Sequence, residues 1–193
     1  MATEPLATES LASQRSDAGR RKISVRALVV LAVVALAVYG FDQLTKFLVV
    51  THLTEGEQVN VLGNILTFHF VKNPGAAFSL ASGMTWIFSI AASAVVVFII
   101  LFARRIRSIG WAVLFGMLLG GTTGNLTDRL FREPGFGVGH VVDFIQVYGF
   151  PAIFNIADSF ICASMALFII LTIRGVGLDG RRHASGTTPV DPA

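Results

Sequence analysis

From Met84 to Ala103 the chain runs twenty residues without one charged side chain. Twenty residues of helix span about 30 Å, the thickness of a bilayer's hydrocarbon core. In lipid a backbone must satisfy its own polar groups, so a single apolar run of this length reads as a spanning helix. Three further runs are nearly as apolar: Ala27 to Val50 (interrupted by Asp42 and Lys46), Ile109 to Leu126, and Pro151 to Ile173 (which holds Asp158). Only 14% of the residues are charged and 53% are hydrophobic, whereas a soluble domain carries about 25% charge. The expected fold is an all-α membrane protein with four transmembrane helices and a small extracytoplasmic β-rich segment.

Charge placement sets the expected orientation. Eleven of the fifteen Lys and Arg fall in three clusters: Arg15, Arg20, Arg21, Lys22, Arg26; Arg104, Arg105, Arg107; and Arg174, Arg181, Arg182. With four spans all three land on one side, which by the positive-inside bias puts both termini in the cytoplasm. The same pattern explains the net charge of +3 as a topology signal and argues against nucleic-acid binding. A cleaved signal peptide competes for the first span, with Ala35-Leu36-Ala37 as its cleavage site. The apolar run continues past that site, and the basic pattern is regular only if the segment stays. Residues 1–25 read as a disordered cytoplasmic tail, 26–174 as the four-span domain, and 175–193 as a C-terminal cytoplasmic tail.

Between the first two spans, Leu66-Thr67-Phe68-His69-Phe70 alternates apolar and polar residues like a half-buried strand. The last two spans are joined by Glu133-Pro134-Gly135-Phe136-Gly137, the composition of a flexible turn. The single cysteine, Cys162, reads as packing within an apolar stretch.

Charges near membrane depth cost roughly 2.5–3.5 kcal/mol on insertion scales and are read first as functional. Asp143 and Asp158 flank the start of the last span. Two close carboxylates sharing a proton can activate water; solvated loop carboxylates, or a cap by Asp158 on a helix starting near Ser159, are the plainer readings. Asn155, three residues earlier, is placed to hydrogen-bond Asp158. Asp42 and Lys46 share a helix face and pair either structurally or beside an active site. Asn73, before Pro74 and Gly75, marks a turn or offers its amide to a substrate backbone. Gly120, Gly121 and Gly124 permit close helix packing, and Asp128 is expected to pair with Arg129. No metal site is expected, because His140 is the lone ligand candidate near these carboxylates.

Five segments, in order, carry a resemblance: Phe41-Asp42-Gln43-Leu44-Thr45-Lys46, Asn73-Pro74-Gly75-Ala76-Ala77-Phe78, Gly124-Asn125-Leu126-Thr127-Asp128-Arg129, Val141-Val142-Asp143-Phe144 and Phe154-Asn155-Ile156-Ala157-Asp158. Together they resemble the bacterial lipoprotein signal peptidases (signal peptidase II). The resemblance implies an aspartic intramembrane endopeptidase of the bacterial inner membrane, with its site toward the extracytoplasmic face. It would cut prolipoproteins before a diacylglyceryl-modified cysteine, next to membrane lipid, with no cofactor and as a monomer. It further implies Asp143 and Asp158 as the catalytic dyad. Asp42, Lys46, Asn73, Gly75, Asn125, Asp128, Arg129, Asn155 and Ala157 would support the dyad or bind substrate. The rival readings are a small proton-coupled transporter using the same acidic residues and a non-enzymatic scaffold.

Overall fold

A computed structural model describes residues 23–75 and 84–181. Most of both expected tails, and Ala76 to Phe78 of the second motif, lie outside these described residues. Four helices are long and apolar enough to cross a membrane: α1 (Val25–His52), α2 (Thr85–Phe102), α3 (Ile109–Phe131) and α4 (Ile156–Ile173). Ser24 starts α1 by accepting the Ala27 N–H at 3.3 Å, and a short 3-10 turn, Ala103–Arg105, closes α2. The outward faces are apolar; Leu36, Leu101 and Ile173 are 70–80% exposed. A lipid surround satisfies such faces, and water would not. Cys162, expected to pack, is exposed on α4.

Helix α3 is the hub, touching α1, α2 and α4. Its glycines explain how. Gly116, Gly120 and Gly124 recur every four residues and so form one stripe against α1. A Cβ at Gly116 would lie 2.8 Å from the Leu31 carbonyl oxygen, and one at Gly120 would lie 2.5 Å from that of Ala35. At Gly124 it would strike the Asp42 carboxylate, and at Gly121 it would come within 2.7 Å of the Ala157 carbonyl oxygen on α4. With no side chain in the way, the helix backbones approach as the small-residue motifs of membrane interfaces allow.

Beyond the helices stands a four-stranded antiparallel sheet in the order β1 (Gln58–Leu62), β2 (Leu66–Asn73), β3 (Val141–Val147), β4 (Ile153–Phe154). The expected strand at 66–70 is the core of β2. The expected small β-rich segment is present and extends beyond the 51–83 region, since β3 and β4 form between α3 and α4. Residues Val141 to Phe144 are all buried, so they show no polar-apolar alternation to mark a strand. Val142, Phe144 and Phe70 pack against Val49 near the end of α1, which seats the sheet on the bundle. Helix α3 runs five residues past Leu126, and α4 starts at Ile156 where Pro151 was expected. At the other end, Trp111 Nε1–H donates to the Val176 carbonyl at 2.9 Å, so residues after α4 fold back onto α3.

Filling the α1–α3 contact should loosen the bundle. Gly120→Leu is expected to lower stability by about 1–3 kcal/mol, the usual cost of overpacking. Thermal unfolding in detergent reads the change, and an unaltered midpoint would speak against this packing.

Candidate active site

Strand β3 pairs with β2 so that Asp143 lies opposite Val71 and Val141 opposite Asn73. This register brings the end of β2 to Asp143, and Asn73 Nδ2 donates to Asp143 Oδ2 at 2.7 Å. The other oxygen, Oδ1, accepts from Asn155 Nδ2, also at 2.7 Å. Asn155 is fully buried and is the N-cap of α4. Its Oδ1 accepts the Asp158 N–H at 3.0 Å, and its own N–H donates to Asp158 Oδ2 at 3.2 Å. This reciprocal capping box replaces the expected cap by Asp158 on a later helix start. Asn155 therefore holds both carboxylates, one from its side chain and the other from its backbone.

Asp158 is half-buried, in the first turn of α4, where exposed N–H groups favour negative charge. Asn125 Nδ2 adds a donor to its Oδ1 at 2.8 Å. Asp143 differs, being only 2% exposed. Burial pushes its carboxyl up to about 6; the Asn73 amide opposes the shift and the neighbouring Asp158 charge adds to it. One carboxyl is buried and the other half-open, and Asn155 bridges them, an arrangement that suits a pair sharing one proton.

Behind the pair lies a buried ionic cluster. Lys46, with no exposed side-chain surface, contacts Asp42 Oδ2 and Asp128 Oδ2, each at 2.9 Å, and donates to Asn125 Oδ1 at 2.8 Å. Asp42 Oδ1 accepts the Ala157 N–H at 2.9 Å. The expected Asp42–Lys46 pair is present, and Asp128 joins it. Asp128 does not pair with Arg129 as expected. Its partner is Arg132, with Nε at 2.6 Å, because residues four apart share a helix face and adjacent ones do not. Arg132 escaped the sequence reading because α3 was expected to end before it.

Arg129 instead lies over the Phe88 ring, 5.1 Å from its centroid. Its Nη1 is buried with no hydrogen-bond partner within the described protein, and its charge acts on Asp143, Asp128 and Asp158. Gly75 closes this corner. Its φ is +100°, and a Cβ there would lie 2.8 Å from Phe88 and 3.1 Å from Arg129 Nη1. Asn73, read as marking a turn or offering its amide to a substrate, accepts the Gly75 N–H with its oxygen at 2.8 Å. His140, the lone metal candidate, lines a cleft of about 290 Å³ with Lys72 and Arg132.

Residues 34–174 match the family model described as Signal peptidase (SPase) II. The chain belongs to the signal peptidase II family. It is 62% identical over 159 residues to a lipoprotein signal peptidase of Leifsonia xyli subsp. xyli (strain CTCB07), covering 81% of this chain and 74% of that protein. It is 46% identical over 145 residues to the lipoprotein signal peptidase of Rhodococcus jostii (strain RHA1), covering 75% and 73%. Its fold matches a bacterial membrane enzyme structure determined by the in meso method, with TM-score 0.69, 27% identity, and coverage of 86% of this chain and 99% of that one. The signal peptidase II family is one of hydrolases, so the expectation of a membrane peptidase holds. Nothing in these likenesses supports the transporter alternative.

The raised Asp143 value has a spectroscopic consequence. Its carboxylic C=O infrared band should persist through pH 5 and fade with a midpoint near 6, and Asp143→Asn should lack it. A band already gone at pH 5 would contradict the buried site. Between its ordinary 3.8 and about 6 the folded state holds a proton that the unfolded chain has released. This group's contribution to stability is therefore present at low pH and is lost as pH rises through that window.

Proposed function

We propose that the chain removes signal peptides from prolipoproteins by cleaving before a diacylglyceryl-modified cysteine, with Asp143 and Asp158 as the catalytic pair. The observation that carries this reading is the bridge by Asn155, which ties a buried carboxyl on a strand to a half-open carboxylate on a helix. Asp158 is the base and takes a proton from water. The resulting hydroxyl adds to the scissile carbonyl carbon while Asp143 gives its proton to the carbonyl oxygen, forming a tetrahedral diol. The leaving nitrogen then takes the proton held by Asp158, and a hydroxyl of the diol returns its proton to Asp143. The C–N bond breaks to leave an acid and an amine, so proton count and charge balance over the cycle.

Substrate approach follows from the surroundings. An apolar groove of about 930 Å³ runs along α2, lined by Trp86, Ile90, Val97, Phe98, Leu130 and Phe136. Ser89, also in that groove, donates to the Gly137 carbonyl at 2.6 Å, one residue from the Phe88 ring under Arg129. The substrate's apolar part lies in this groove, and Arg129 Nη1, without a partner among the described residues, meets a peptide carbonyl at its head. The basic clusters at one end of the spans face the cytoplasm, so the dyad opens at the opposite, extracytoplasmic face of the inner membrane. Both carboxylates come from one copy, so a single chain holds a complete catalytic pair.

The test uses purified protein in detergent and a lipid-modified prolipoprotein. Asp143→Asn and Asp158→Asn are each expected to lose roughly 10⁴-fold or more in kcat, the scale seen when an essential member of a catalytic unit is removed. Cleavage by the unaltered protein should survive chelators. Turnover at the original rate in either folded variant would sink the dyad, and equal cleavage of unlipidated substrate would sink the lipid requirement.

A further inference from the structure

We propose that Lys46 is a positioning residue that holds the Asn125 amide with its oxygen inward, so that its N–H₂ group faces Asp158. This rests on the reading of Asp158 as half of the catalytic pair. An ammonium has three donors and no acceptor, and the three close partners of Lys46 are Asp42 Oδ2, Asp128 Oδ2 and Asn125 Oδ1. Asn125 Oδ1 also accepts from Asn155 Nδ2 at 3.1 Å. Two donors thus converge on one end of the Asn125 amide. The other end, Nδ2, meets the Asp158 carboxylate at 2.8 Å. A flipped amide would set N–H₂ against the ammonium and against Asn155, and a carbonyl against a carboxylate. All three contacts would repel.

Neutralising Asp128 alone does not account for Lys46. Asp128 already has Arg132 at 2.6 Å and the Val142 N–H at 3.2 Å. Asp42 has the Ala157 N–H and Gln43 Nε2 at 3.1 Å. What Lys46 adds is a charged donor behind Asn125, closer than the Asn155 amide that shares the same oxygen. Through that amide a fully buried cation sets the direction of a hydrogen bond to the base without touching substrate.

Two variants separate this role from a structural one. Asp42→Asn combined with Lys46→Met removes one charge of each sign and leaves Asp128 with Arg132. Asn125→Asp keeps an oxygen toward Lys46 but replaces the donor facing Asp158. Both are expected to unfold at a lower temperature than the unaltered protein, and the folded protein of each should show kcat down roughly 100-fold, the scale of a misplaced reacting group, with KM within about threefold. If the double variant does not fold, Asn125→Asp decides. Unaltered kcat in either folded variant, with Asp158→Asn inactive, overturns the positioning role and leaves the dyad standing. Unaltered kcat in Asp158→Asn overturns the dyad itself.

Discussion

A single buried ammonium organises this protein. Lys46 is enclosed within the bundle, and a buried charge is tolerable only when it is paired and hydrogen-bonded. Its partners come from two helices, Asp42 on α1 and both Asp128 and Asn125 on α3. Those partners carry the constraint outward. Asp42 accepts from the backbone of α4 at Ala157, and Asp128 accepts from β3 at Val142. Removing one member of such a cluster leaves an uncompensated charge, at a cost of about 3–5 kcal/mol. The glycine stripe on α3 belongs to the same constraint, because a side chain at Gly124 would occupy the Asp42 carboxylate's space.

The candidate site inherits its precision from that frame. Asp143 is held by sheet register and two amides, and Asp158 by the first turn of a helix. The contrast between them comes from their surroundings, since both are the same residue type. One is enclosed by β3 and its neighbours; the other sits where α4 begins and its N–H groups point outward.

Much of this was legible in the residues. Long apolar runs marked the spans, and the i, i+4 spacing of Asp42 and Lys46 foretold their pair. Asn155 three residues before Asp158 foretold their hydrogen bond. Other features were hidden by physical causes. Val141 to Phe144 are buried throughout, so β3 lacked the period that betrays a strand. Ending α3 at Leu126 hid the Asp128–Arg132 spacing and made adjacent Arg129 the apparent partner. The role of Asn73 depends on a register between strands seventy residues apart, which no local pattern encodes.

The two carboxylates sit on elements of different kinds, a strand from the link after α3 and the helix that follows it. On the proposed assignment, a nascent chain cannot cleave anything until its last helix has entered the bilayer and the sheet has closed against the bundle. The order of synthesis then serves as a safety catch.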